Sequence, residues 1–197
     1  MNNSANGCRQ GVASGRHHHG GRSSERLLDK EIILRHLEIV AGQAVLDAGC
    51  GNGYMSKAFS KRLGNKGRVY ALDPDETAIA GLRETTRGTN IVPMVGDITI
   101  TTSIPAATLD LVYLSTVFHG FSSEQIRGFD AEVNRLLKPL GRLAVVEIVK
   151  RHTPFGPPLE IRFSPDELKR VLNLVPLATV DVGEYFYLQL FAKPSGT

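Results

Sequence analysis

The sequence predicts an α/β protein, a three-layer αβα sandwich around a mainly parallel sheet. One observation is regular alternation. From residue 43 onward, short β-branched runs such as "AVLDAG", "GRVYALD", "NIVPMVGD", "LDLVYLS" and "GRLAVVEIVK" are separated by helix-like stretches. Strands joined through helices are joined by crossovers, which make the sheet parallel and cover it on both faces. A second observation is that the alternation stops in the last third. There "LATVDVGEYFYLQLFAKP" reads as two strands about a tight turn at Gly183, an antiparallel hairpin closing one edge.

The elements follow in order. Residues 1–22 are rich in Gly, Ser, Asn and His with few large apolar side chains, so they read as a flexible arm ahead of one domain spanning 23–197. In "SSERLLDKEIILRHLEIV", Leu27, Leu28, Ile32, Ile33, Leu37 and Val40 fall near helical spacing, with Ser23 or Ser24 as the expected N-cap. "YMSKAFSKRL", "DETAIAGLRETT" and "SEQIRGFDAEVNRLL" supply the crossover helices. "SPDELKRVLNL" carries capping-box spacing from Ser164 to Glu167. The intervening "RHTPFGPPLEIRFSP" is too long and apolar for a plain connector, and with Phe155 and Phe163 it is expected to border a pocket.

Composition narrows the function. The chain has 197 residues, 42% of them hydrophobic, enough for one buried core. A formal net charge of +3 with basic residues spread along the chain argues against nucleic acid as partner. No apolar run reaches the roughly 18 to 20 residues of a membrane span, and the N-terminal stretch lacks a signal-peptide core, so a cytoplasmic location is expected. Cys8 and Cys50 are the two cysteines, one in the arm and one in a glycine loop, and read as free thiols. His17, His18 and His19 in a flexible arm make a poor cage, so no metal is expected.

The chemistry centres on "VLDAGCGNGYMSKAF", where Gly49, Gly51 and Gly53 fall between the first strand and a helix. Such a turn lets a ligand approach the backbone and the unpaired N–H groups of the helix start. A dinucleotide fingerprint would need glycine at position 54, which is Tyr. Instead Asp47 precedes the loop, an acid suited to a ligand carrying a cation. Asp73, at the end of the second strand, can accept from ribose hydroxyls. Asp97, ending the third strand, is placed for an exocyclic amine or purine edge beside Ile98. Together they outline a nucleoside-sized cleft.

"VLDAGCGNG", "VYALDPDE", "MVGDIT", "DLVYLSTVFHG" and "RLLKPLGRLAVVE" resemble the successive motifs of class I S-adenosylmethionine-dependent methyltransferases. The resemblance runs from about residue 24 to 194 and is nearest the small single-domain group similar to ubiquinone/menaquinone-biosynthesis methyltransferases. It implies a Rossmann-like sheet of about seven strands, the last antiparallel. It also implies that Asp47, Gly49, Cys50, Gly51 and Gly53 line the methionine part of the cofactor and that Asp73 holds the ribose. Pro74 would then flank the adenine, Asp97 and Ile98 would contact it, and Ser115 would sit over the sulfonium side.

His119, after the fourth strand, is the candidate catalytic residue, a base or binder for the acceptor; a solvent-facing or packed histidine is the plainer alternative. Tyr54 and Arg22 are weaker candidates for acceptor contact and cofactor-carboxylate pairing. Cys50 has no base placed beside it by sequence, which argues against a nucleophile. The expected function is transfer of a methyl group from S-adenosylmethionine to a small-molecule acceptor by direct displacement, leaving S-adenosylhomocysteine. Too few cysteines are present to hold a metalloid acceptor. An RNA or protein methyltransferase and a non-catalytic cofactor-binding regulator are the rivals, and the protein is expected as a monomer or homodimer.

Overall fold

The computed structural model describes residues 26–195. Its elements are α1 (Lys30–Leu37), β1 (Ala44–Ala48), α2 (Tyr54–Leu63), β2 (Arg68–Asp73), α3 (Glu76–Thr85), β3 (Ile91–Val95), β4 (Leu109–Ser115), α4 (Ser123–Leu136), β5 (Leu137–Ile148), α5 (Pro165–Val171), β6 (Val175–Asp181) and β7 (Phe186–Ala192). The arm expected over residues 1–22, with Arg22 and the histidine run, and Ser23 and Ser24 lie outside the described residues. The helix expected there begins later, at Lys30, and its N-cap is Asp29, whose carboxylate accepts from Ile32 N–H at 3.0 Å. Asp29 N–H is itself donated to Val182 O at 2.7 Å, which commits the preceding chain to the β6–β7 turn and excludes Leu27 and Leu28 from the helix.

Seven strands form one sheet in the order β3-β2-β1-β4-β5-β7-β6. β1 through β5 pair in parallel, while β7 runs antiparallel to both β5 and β6. This is the Rossmann-like arrangement expected, with the terminal hairpin inserted beside β5. Pro93 sits in β3, an edge strand, where a missing N–H costs no ladder bond. β6 forms the other edge and is exposed along most of its length.

Each face of the sheet has its own core. Ile33 and Leu37 of α1, Phe59 of α2 and Ile79 of α3 pack on one side against Val45, Tyr113 and Val146. Phe129 and Val133 of α4 and Leu168 of α5 pack on the other against Leu46, Val112 and Val145. Alternate strand residues thus feed opposite layers, as a doubly covered parallel sheet requires. α4 and α5 both start from complete capping boxes, Ser122 with Gln125 and Ser164 with Glu167, the second as the spacing predicts. The winding reverses between β1 and β4, and beyond their carboxyl ends the first strand gives way to the glycine loop.

α4 approaches the chain after β3 through Gly128. A Cβ there would lie 2.0 Å from Thr99 O. Gly128→Ala is therefore expected to destabilise the protein by about 1 to 3 kcal/mol despite alanine's better helix propensity, because backbone must move to admit the methyl. Denaturant unfolding checks this, and an unchanged or raised midpoint contradicts the close approach.

Candidate functional site

The glycine loop is shaped by three left-handed glycines at alternate positions, Gly49 (φ 68°), Gly51 (φ 50°) and Gly53 (φ 76°). Two of them are packed. A Cβ on Gly49 would lie 2.8 Å from Val117 Cγ2, and one on Gly53 would lie 2.4 Å from Leu82 Cδ1. Gly51 differs, since a Cβ there would meet nothing within 4 Å. The close-approach surface for a ligand is therefore centred on Gly51, and its two neighbours keep the loop against the fold.

The end of β2 holds the loop in place. Gly49 N–H and Cys50 N–H both donate to Leu72 O, at 2.8 and 3.1 Å. Gly51 N–H donates to Asp73 Oδ2 at 2.8 Å, while Asp73 Oδ1 accepts from Asp75 N–H at 2.9 Å. Asp73 is thus not the helix cap. That task belongs to Asp75, which accepts from Thr77 and Ala78 N–H at the start of α3. Each carboxylate oxygen of Asp73 has further lone-pair capacity after one backbone bond.

Asp47 is buried below the loop and accepts from Ser56 Oγ at 2.5 Å. Loss of water raises its pKa from 3.8 to about 7, against the opposing Ser56 bonds and with a smaller contribution from the Asp73 charge. Cys50 is also buried, and burial together with the Asp47 and Asp73 charges pushes its thiol far above the usual range. It is an inert part of the loop wall. Pro74 is exposed beside Asp73. Asp97 lies two residues beyond β3, not on it, and its Oδ1 accepts from Thr99 N–H and Thr99 Oγ1, both at 2.8 Å; Ile98 beside it is buried. Ser115 is the last residue of β4. These positions converge on the carboxyl edge of β1, β2, β3 and β4.

Beyond Ser115 the chain turns through Thr116 at φ 56°, a left-handed conformation that a β-branched residue rarely adopts. Strain of this kind costs about 1 to 3 kcal/mol and is concentrated at functional sites. The turn delivers Val117 onto Gly49 and His119 into a cleft of about 410 Å³, so residues 115–119 connect the glycine loop to that cleft directly. His119, in a 3-10 turn over Phe118–Gly120, has its Nδ1 2.8 Å from Glu147 Oε2, and its backbone N–H donates to Glu147 Oε1 at 3.4 Å. The Glu147 side chain is completely buried, whereas that of His119 is 21% exposed.

The cleft is also lined by Phe121, Phe163, Ile161, Lys150 and Arg170. Phe118 is stacked edge-on against Phe129 and Phe163, with centroids 5.6 and 4.9 Å apart, which fixes the floor under His119. Phe163 therefore borders the pocket as expected. Phe155 packs against Tyr185 and Phe186 instead. Tyr54 lies under Lys30 Nζ, 5.3 Å from its ring centroid, at a separate groove.

Two residues went unread in the sequence. Glu147 could have been found as a lone acid inside the apolar run of a central strand. Arg162 is 5% exposed, and its guanidinium donates to the carbonyls of Val149, Arg151, Phe155 and Pro157 and to Thr153 Oγ1. It organises the proline-rich segment by binding backbone, which leaves no pattern in the partners' side chains.

Known proteins share the fold and part of the sequence. A family model described as "Methyltransferase domain" matches residues 45–141. A ubiquinone/menaquinone biosynthesis C-methyltransferase from Hydrogenovibrio crunogenus is 36% identical over 120 residues, covering 57% of this chain and 45% of the relative. A probable cobalt-precorrin-6B C(15)-methyltransferase from Saccharolobus solfataricus is 29% identical, over 61% of this chain and 60% of that protein. The chain thus spans between two-fifths and two-thirds of the length of these relatives. The crystal structure of an S-adenosylmethionine-dependent methyltransferase from Aquifex aeolicus superposes with a TM-score of 0.78 at 28% identity, covering 87% of this chain and 93% of that one.

The raised pKa of Asp47 makes a prediction about stability. A carboxyl whose folded pKa lies above its unfolded value favours folding below the unfolded value and loses that advantage as pH rises toward about 7. Asp47→Asn should therefore be more stable than the wild type at pH 8, by about 2 to 4 kcal/mol, with the gain fading toward pH 4. Unfolding midpoints at the two pH values check this, and a pH-independent difference contradicts it.

Proposed function

We propose that this chain, which has the class I methyltransferase fold and resembles the ubiquinone/menaquinone-biosynthesis methyltransferases, transfers a methyl group from S-adenosylmethionine to a small-molecule acceptor. The observation that carries the reading is Gly51. Its left-handed backbone faces open space, and its N–H rests on the carboxylate that ends β2, so a ligand can reach loop and acid together. A nucleoside carrying a cationic tail fits this donor and acceptor set.

In this reading Gly49, Gly51 and Gly53 present backbone to the methionine part, with Cys50 as a neutral wall beside them. Asp73 uses its remaining lone pairs for the ribose hydroxyls. Pro74, Ile98 and Asp97 border the adenine, the first two by contact and Asp97 from its turn with Thr99. Asp47 supplies negative charge below the loop, and Ser115 lies on the side facing the acceptor. When bound, the cofactor supplies a methyl group already made electrophilic by the sulfonium, and the residues of the chain need to align an acceptor behind it and exclude water. The cleft under His119 is the place for that acceptor. Its phenylalanine floor suits a flat apolar body, and Arg170 and Glu160 at its wall suit a hydroxylated edge, Lys150 being already paired with Glu167 at 2.6 Å.

The comparisons support a small acceptor, since the quinone-biosynthesis and precorrin relatives are named for small molecules. No helix among the described residues is long and apolar enough to cross a membrane.

Calorimetric titration tests the cofactor. S-adenosylmethionine should bind saturably and NAD should not. A cation near Asp47 favours its ionised form, so binding must expel a proton from the Asp47 carboxyl whenever the pH is below about 7. Affinity should therefore fall by up to about tenfold per pH unit below that point, and Asp47→Asn should flatten the dependence. Asp73→Ala should weaken binding by about tenfold or more, the loss of a charge-assisted bond. Absence of saturable binding, or equal affinity for NAD, contradicts the reading.

A further inference from the structure

The pair formed by His119 and Glu147 has a chemical consequence beyond methyl transfer to a small molecule. Glu147 sits on β5, a central strand, with its side chain wholly buried. The polar groups it meets are the backbone N–H and Nδ1 of His119. A carboxylate only accepts, so opposite it Nδ1 carries the hydrogen, and Nε2 is the ring nitrogen left for another partner. His119 lines the cleft, so that free nitrogen belongs to the acceptor site. A buried acid that merely filled the core would be poorly placed here, because an apolar residue at the same strand position would be buried at lower desolvation cost.

We propose that Glu147 is the positioning residue that fixes His119 as a general base, and that the acceptor is consequently a weak oxygen or carbon acid, an enol or hydroxyl compound, and not a thiol. The proposal rests on the methyltransferase reading above. In the step, His119 Nε2 takes the acceptor proton as the freed electron pair forms the new bond to the methyl carbon. The sulfur–carbon bond breaks with its electrons remaining on sulfur, and the imidazolium later returns the proton to solvent. A thiol ionises near neutral pH unaided and would need no such base. An alcohol, phenol or enolisable carbon gains from one by about 10² to 10⁴ in rate.

The test has two arms on the full chain. Long-range proton–nitrogen NMR of the labelled protein at pH 8, with neither cofactor nor acceptor added, should find His119 with its hydrogen on Nδ1. In Glu147→Gln, whose amide can also donate, the hydrogen should shift toward Nε2. A wild-type His119 carrying its hydrogen on Nε2, or an unaltered tautomer in the variant, overturns the positioning role. Should the variant not fold, the wild-type tautomer alone decides it.

The second arm follows radiolabelled methyl transfer to catechol, to a cyclic 1,3-diketone and to dithiothreitol. Glu147→Gln should lower kcat for the oxygen and carbon acids by about 100-fold with KM within threefold. Faster methylation of dithiothreitol than of the other two probes, or a variant effect confined to KM, overturns the acceptor class. Failure of S-adenosylmethionine to bind would remove the methyltransferase reading instead, and the NMR result would still decide what Glu147 does to His119.

Discussion

The carboxylate of Asp73 is the constraint on which the cleft depends. One oxygen holds Gly51 N–H and the other holds Asp75 N–H, so a single side chain ties the glycine loop to the end of β2 and to the cap of α3. The backbone beside it adds to the same anchor, since Leu72 O receives two loop N–H groups and Asp73 O receives Gly96 N–H. Asp97 is reached through that last bond, one residue beyond Gly96. Three regions of the candidate cofactor site are thereby positioned by two residues of one strand. Loss of Asp73 would disturb the cradle as well as remove the proposed ligand contact, and its amide isostere, keeping one acceptor oxygen, would separate the two effects.

The two halves of the site are built by different physics. The proposed cofactor half is mostly backbone, with conformations that only glycine adopts without strain and carbonyls and N–H groups already fixed by the parallel sheet. The proposed acceptor half is side chain. It depends on His119 meeting Glu147 across 28 residues, on four phenylalanines in one cluster, and on the Arg162 guanidinium gathering a proline-rich segment. Thr116 joins the halves and bears the backbone strain of doing so.

That division explains what the sequence could reveal. The left-handed turn of Gly49, Gly51 and Gly53 and the strand-end position of Asp73 beside it were legible because a fixed backbone geometry demands those residue types at those spacings. The alternation of strands and helices was legible for the same local reason, as was the capping box at Ser164. The start of α1 was not, because Ser23, Ser24 and Asp29 are all competent caps and the choice was made by a distant bond to Val182. Glu147 and Arg162 escaped because their partners are close only in the fold. Phe155 and Phe163 looked equivalent in one apolar segment, and packing against Tyr185 sent Phe155 away from the cleft.

The central claim is that one ligand site spans the loop, the end of β2 and the end of β4. Amide chemical-shift mapping of the labelled protein during titration with S-adenosylhomocysteine tests it most directly. The account predicts saturating shifts concentrated at Gly49 to Gly53, Asp73, Asp97, Ile98 and Ser115, with β6 and the far end of the sheet unmoved. Shifts centred on the groove beside Tyr54 and Lys57, or no saturable shifts at the glycine loop, would contradict it.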